Sequence, residues 1–187
     1  MYAKMIRYTT AATDDDLQQI LALQQQNLAK IITPEQQQEQ GFVTVVHTLP
    51  LLQQMNAAAP QIIAKDGDQL AGYALVMPTS FRSFIPVLQP MFDLLDTLEY
   101  DGQLVGSYSY YVMGQICVVE KYRGQGVFDG LYQYHRDRLS ADFDLCVTEV
   151  ATRNTRSLRA HQRVGFTSIA EYEDETDRWC VIVWDWR

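Results

Sequence analysis

Val118-Val119-Glu120-Lys121-Tyr122-Arg123-Gly124-Gln125-Gly126-Val127-Phe128 decides how this 187-residue chain is read. An apolar strand ends at Val119, two glycines flanking one residue follow Arg123, and a helix opens with Val127, Phe128 and Leu131. Glycine lets a backbone turn sharply and approach a ligand closely. A helix N-terminus presents unpaired N–H groups and a partial positive charge. Strand, glycine loop and helix start together form a cradle for a phosphate. The same pattern also serves ordinary strand-to-helix turns, so its meaning depends on what stands around it.

Composition narrows the setting. Hydrophobic residues make up 47% and charged residues 20%, a profile of a folded domain with a substantial core. The net charge of −8 argues against nucleic acid or an anionic membrane as partner, since both demand a basic face; a local basic patch around a polyanionic cofactor stays compatible with it. The apolar run near the N-terminus is too short for a signal peptide, and no apolar run approaches the roughly 20 residues that span a bilayer. Cys117, Cys146 and Cys180 sit among strand-type residues without disulfide or metal-ligand spacing, which suits a reducing cytoplasm and no metal. The expectation is one domain over residues 1–187.

Outward from the loop, residues 5–9 read as a first strand and Thr13-Asp14-Asp15-Asp16 as a helix cap with acids at the positive end. Leu17, Ile20, Leu21, Leu23 and Leu28 supply that helix's apolar face. Pro34 begins a short helix that ends at Gly41, and Leu51 to Met55 gives a further helical turn. Residues 61–65 and 69–77 form two strands around the hairpin turn Asp66-Gly67-Asp68. Pro86 and Pro90 break the stretch from Ser80 to Gly102, where Met91 to Leu98 forms an inserted helix. Tyr108 to Val119 is a strand, and Gly114 inside it marks a bulge or a close backbone approach. The helix after the loop carries Phe128, Leu131, Tyr132, His135 and Leu139 on one face. Leu145 to Val150 is a strand, Asn154 to Arg163 a helix, and Phe166 to Tyr172 and Trp179 to Trp186 two closing strands. The alternation predicts a mixed central sheet flanked by helices, an α/β fold of the α+β type.

Two further features carry chemistry. Asn154, Ser157 and His161 lie at i, i+3 and i+7, on one face of the helix that ends before Gly165. A polar stripe of this kind meets water or a polar ligand. Glu149 stands alone among the valines of its strand. A carboxylate there is costly to bury unpaired, so it either faces solvent or has a task.

At these residues the chain resembles the GNAT superfamily of acyl-coenzyme A N-acyltransferases. Arg123-Gly124-Gln125-Gly126 after the strand is similar to that family's cofactor signature, and Asn154 through Gly165-Phe166 is similar to its second conserved block. The specific match runs from Ile116 to Tyr172, and the element order outside it agrees less specifically. The resemblance implies the GNAT-like acyl-CoA N-acyltransferase fold and transfer of an acetyl group from acetyl-CoA to a primary amine, directly within a ternary complex. On this view the strand segment Ile116-Cys117-Val118 binds the pantetheine arm through its backbone. The N–H groups of Arg123, Gly124, Gln125, Gly126, Val127 and Phe128 hold the pyrophosphate. Asn154 contacts the pantetheine arm, with Ser157 nearby. The resemblance makes Glu149, or a water it holds, the base and His161, where many members have tyrosine, the acid. It leaves open a longer acyl donor, a non-catalytic acyl-CoA sensor, and a homodimer. The acceptor is a small-molecule or protein amine.

Two positions depart from the family's pattern. Phe128 stands where the family usually has Gly or Ala, so the loop must accommodate a large ring, which can point into the core since only its N–H is needed. Val112 falls at a second common base position and cannot take a proton, which leaves Glu149. An amine attacks a thioester only when neutral, so a base is required. A glutamate at its ordinary pKa of about 4.3 is weak for this, and burial would raise it. A free histidine, pKa about 6.5, is roughly one quarter protonated at pH 7, which predicts turnover more pH-sensitive than with tyrosine. Cys117 has no neighbour in sequence that would activate it for an acyl-enzyme. His135 belongs to a core stripe, and His47 stands without a companion. Phe81, Arg82, Tyr110 and Tyr111 fit either an acceptor pocket or ordinary packing.

Overall fold

Thr13 begins the first helix with a reciprocal cap. Its Oγ1 accepts the Asp16 N–H at 3.2 Å, and Asp16 Oδ2 accepts the N–H of Thr13 at 3.1 Å. The other oxygen of Asp16 pairs with Lys65 at 2.7 Å, so the cap also fastens the helix to a strand. The computed structural model describes residues 6–187, apart from the side chains of residues 38–40. Within them the order is β1 (Arg7–Thr10), α1 (Asp14–Gln26), α2 (Pro34–Gln40), α3 (Leu49–Ala58), β2 (Ile62–Asp66) and β3 (Gln69–Pro78). Then follow two 3-10 turns, α4 (Gln89–Leu95), a small hairpin of β4 (Glu99–Tyr100) and β5 (Gln103–Leu104), and β6 (Tyr110–Val118). The chain closes with α5 (Val127–Leu139), β7 (Leu145–Ala151), α6 (Thr155–Val164), β8 (Thr167–Glu173) and β9 (Arg178–Asp185).

One seven-stranded sheet runs β1-β2-β3-β6-β7-β9-β8. Only β6 and β7 are parallel among its pairs; the others are antiparallel. Side chains alternate across each strand, so the sheet serves two cores. Leu17, Ile20, Leu52, Met55, Phe92, Leu95, Val147 and Val181 belong to the core of α1, α3 and the insertion before β6. Leu131, Tyr132, Cys146, Phe166 and Trp184 belong to the core of α5.

Most sequence-based boundaries stand within one or two residues. The first strand is observed from Arg7, and Met5 lies outside the described residues. Leu28 follows α1 rather than lying on it, and bridges to Val43. The helix expected at 91–98 starts at Gln89 and ends at Leu95, because Pro90 suits a first turn and the chain then forms the β4–β5 hairpin. Asn154 is the N-cap of α6 rather than its first helical residue. Gly165 ends that helix at φ 125°, and a Cβ there would meet Trp184 Nε1 at 2.7 Å. Both features exclude any other residue.

Cys117, Cys146 and Cys180 are buried free thiols. Burial also holds His47, His135 and His161 near pKa 4, well below an ordinary histidine. His135 is the core histidine expected: its ring meets Tyr111 Oη at 2.8 Å and the Ala74 carbonyl at 3.2 Å. Among the described residues no helix is long and apolar enough to cross a membrane, and no group of three or more His, Cys, Asp or Glu could hold a metal ion.

The histidines fix a response to acid. Each pKa is lowered on folding, so the unfolded chain binds protons that the native one refuses, and stability falls as pH drops from about 6.5 toward 4. Glu149, raised to about 7, acts with opposite sign and cancels one proton. Two remain, so between pH 6 and 5 the unfolding free energy is expected to fall by about 2–3 kcal/mol. Urea titrations at both pH values measure this; equal midpoints would contradict it.

Candidate active site

The site forms where β6 and β7 part. Tyr110, Tyr111 and Val112 pair with Leu145, Cys146 and Val147, and the ladder then stops. Thr148 Oγ1 still reaches the Met113 carbonyl at 2.8 Å; beyond it the strands separate. Against β3 the register shifts between Ala74 and Val76, where Val76 faces Met113 but Ala74 faces Ile116. This puts an extra residue into β6 at Gly114-Gln115, the bulge expected from the glycine. A Cβ on Gly114 would meet nothing closer than 3.7 Å, so the bulge comes without crowding.

A cavity of about 630 Å³ opens at the parting. Ile116, Cys117 and Val118 line one wall, Gly124, Gly126, Val127 and Phe128 its end, and Asn154 and Ser157 the α6 side. Gly126 is left-handed, φ 78°, and takes the N-cap of α5 without a side-chain cap. The N–H groups from Gly124 to Phe128 therefore have no hydrogen-bond acceptor among the described residues. Arg123 differs from expectation: its backbone N–H is spent on the Glu120 carbonyl at 3.0 Å. Its side chain lines the cavity, donating to Val118 O at 3.0 Å and Asn27 Oδ1 at 2.7 Å. Gln125 does not line the cavity, because its side chain turns back to the Lys121 carbonyl at 2.7 Å. Only its N–H remains on the loop.

Sequence reading missed the arginines of α6. Arg156, Arg159 and Arg163 line the same cavity in a chain of net charge −8. Arg163 is tied to Asp129 at 2.7 Å, which balances an acid at the positive end of α5. Their i, i+3 and i+7 spacing was a usable signal.

A smaller cavity of about 70 Å³ adjoins the first and shares Phe42, Val43, Ile116, Asn154 and Ser157 with it. Glu149 and His161 both line it, with Val45, Gln115 and Trp179. Glu149 lies on β7 and accepts a hydrogen bond from Tyr172 Oη of β8 at 2.5 Å, reaching past β9 between them. Burial pushes its carboxyl up to about 7; the Tyr172 hydroxyl opposes the rise and Asp174 adds to it. Tyr172 was not foreseen, since only the β7–β9–β8 register brings it to Glu149.

His161 departs from the exposed polar stripe. It is 2% exposed, and its ring meets the edges or faces of Phe128, Tyr132 and Phe166 at 5.2–5.3 Å. Phe128 thus turns inward as expected, with His161 as part of what it packs on. His161 Nδ1 lies 2.8 Å from the Ser157 carbonyl, so the ring proton is assigned to Nδ1. Nε2 has no partner among the described residues. Neutral at pH 7, this ring cannot supply the one-quarter protonation expected of a free histidine. Phe81, Arg82, Tyr110 and Tyr111 line neither cavity; Arg82 pairs with Asp96 at 3.1 Å and Tyr111 is core.

This architecture is the GNAT acyl-CoA N-acyltransferase fold. The chain is similar over 96% of its length to a GNAT-family acetyltransferase from Streptococcus agalactiae (95% of that chain; TM-score 0.66, 12% identity). It is similar over 97% to the ribosomal-protein-S18-alanine N-acetyltransferase from Escherichia coli (94% of that chain; TM-score 0.64, 13% identity). It also matches, over 97%, yncA from Salmonella typhimurium, solved with its cofactor acetyl-CoA (94% of that chain; TM-score 0.62, 14% identity). No family model and no curated protein matches the sequence.

Removing the Tyr172 donor takes away what holds the Glu149 pKa down. In Y172F that pKa is expected to rise above about 7 by roughly one unit. Carboxyl ¹³C NMR titration reads it directly; an unchanged or lower value would show that the hydroxyl does not act on Glu149.

Proposed function

We propose that residues 1–187 act as one N-acetyltransferase domain that moves an acetyl group from acetyl-CoA to an amine. The observation that carries this reading is the large cavity with its unsatisfied N–H groups from Gly124 to Phe128 at the uncapped start of α5. Those groups suit a diphosphate, and the arginine wall of α6 suits further anionic charge. The pantetheine arm would run along Ile116-Cys117-Val118 as a strand added where β7 has left. It would end at the small cavity, beside Asn154 and Ser157. A space of about 70 Å³ favours acetyl over a long acyl chain.

The amine would enter beside Glu149. Its nitrogen attacks the thioester carbonyl, the C–N bond forms, the C–S bond breaks, and the nitrogen's proton passes to Glu149 or to a water it holds. A carboxyl near pKa 7 is matched to that task at neutral pH. The departing thiolate needs a proton; His161, the acid that the resemblance implies, is neutral at pH 7 and so steadies the thiolate by a hydrogen bond from its ring N–H, while the proton that ends on sulfur comes from solvent. Its own proton faces the Ser157 carbonyl, so that hydrogen bond requires the Nε2–H tautomer when cofactor is bound. The pH dependence then belongs to Glu149 rather than to His161. Cys117 takes no covalent part, because burial raises its thiol to about 12. The acceptor is a small-molecule or protein amine; the similar Escherichia coli enzyme acetylates the alanine of a ribosomal protein.

Calorimetric titration with coenzyme A tests the cavity, and absence of heat at millimolar concentrations would sink the proposal. Thiol release from acetyl-CoA across spermidine, kanamycin and a peptide with a free N-terminus tests transfer. For an active amine, kcat/KM is expected to rise with pH through a limb near 7 and then level. E149Q should lower kcat by about 10²–10⁴-fold with coenzyme A affinity little changed. Wild-type rates flat from pH 6 to 8 would remove Glu149 as base.

A further inference from the structure

The sequence left His47 without a companion, yet it is buried in a polar set that the reaction above does not use. Gln24 on α1 donates from Nε2 to Gln115 Oε1 at 2.8 Å and to His47 Nδ1 at 2.8 Å. Its Oε1 accepts the His47 backbone N–H at 2.9 Å. Gln115, at the β6 bulge, donates from Nε2 to the Val45 carbonyl at 2.9 Å, and its Oε1 accepts from the Tyr73 hydroxyl at 2.5 Å. Both hydrogens of the Gln24 amide have acceptors, which makes His47 Nδ1 an acceptor and puts the ring proton on Nε2, a buried atom with no partner among the described residues. Gln24, Gln115 and His47 are 2%, 6% and 4% exposed.

The object of these bonds is residues 43–47, a segment outside any helix or strand apart from the bridge of Val43 to Leu28. Val43, Thr44 and Val45 line the small cavity opposite Glu149's strand. The preceding Phe42 is held from the α6 side, by Asn154 Nδ2 on its carbonyl at 3.4 Å and the Arg153 guanidinium 4.3 Å over its ring. With no ladder to fix it, the far end of the segment takes its position from the two glutamines.

We propose that Gln24 and Gln115 are positioning residues for acyl transfer: they hold residues 43–47 as the acceptor-side wall, so the amine meets the thioester in one place while donor binding rests on Ile116–Val118 of β6 and on α5 and α6. This rests on the acyl-transfer reading above. The test compares Q24L, Q115L and the double variant with wild type. Three readouts are taken: hydrogen exchange at amides 43–47, calorimetry with coenzyme A, and thiol release with the active amine of the panel.

Each single variant is expected to exchange at 43–47 roughly tenfold faster and to lose roughly tenfold in kcat/KM for the amine, chiefly through KM. Coenzyme A affinity should stay within roughly threefold of wild type. The double variant leaves the His47 N–H and Nδ1, the Tyr73 hydroxyl and the Val45 carbonyl without these partners, so its melting temperature should lie below that of either single variant, with coenzyme A affinity still in the same range. A loss of activity that falls on kcat in step with melting temperature, and not on KM for the amine, would mean a merely structural role and overturn the proposal. Unchanged exchange at 43–47, or a parallel fall in coenzyme A affinity, would overturn it too. If wild type binds coenzyme A but acetylates no amine, acyl transfer itself fails and the kinetic role falls with it. If amines are acetylated and the glutamine variants match wild type, only the positioning proposal is lost.

Discussion

A main-chain group that leaves a ladder must find another partner, and that constraint organises this molecule. The parallel pairing of β6 with β7 ends after Val112 and Val147. Everything of functional interest lies beyond that point. The opened strand segment, the uncapped start of α5 and the N-cap of α6 all border one cavity. The bulge at Gly114-Gln115 turns β6 out of register just where the parting begins. A sheet that stayed paired along both strands would have no room there for a ligand and no unsatisfied edge to receive one.

Burial beside the small cavity moves two titratable groups in opposite directions. Desolvation disfavours charge, so the same burial that lifts Glu149 to about 7 holds His161 near 4. At neutral pH His161 is uncharged and Glu149 is about half ionised, so the site holds a base ready to take a proton without a fixed cation beside it. Tyr172 moderates this balance by favouring the ionised carboxylate. The aromatic packing around His161 sets the environment of the ring as much as its own helix does.

Legibility in the sequence followed the range of the interactions. The loop from Arg123 to Phe128, the caps at Thr13 and Gly165 and the α6 block are local, and short-range chemistry declares them. The hairpin around Gly67 is legible for the same reason. The insertion between β3 and β6 was only partly readable, because Pro86 and Pro90 mark breaks without saying what forms between them. Tyr172 meets Glu149 across an intervening strand, a contact that depends on registers no spacing reveals. Gln24 and Gln115 are 91 positions apart and read separately as a helix polar residue and a strand polar residue. His161 has a spacing that suits an open polar face, but tertiary packing closed that face over it.

The outermost strand β8 has a further consequence. Its register against β9 slips between Ser168 and Ala170, and Glu171 and Glu173 project from it into solvent. An irregular, acidic rim gives a poor template for another chain's strand. The sheet thus ends in a strand that discourages fibrous self-association of copies edge to edge.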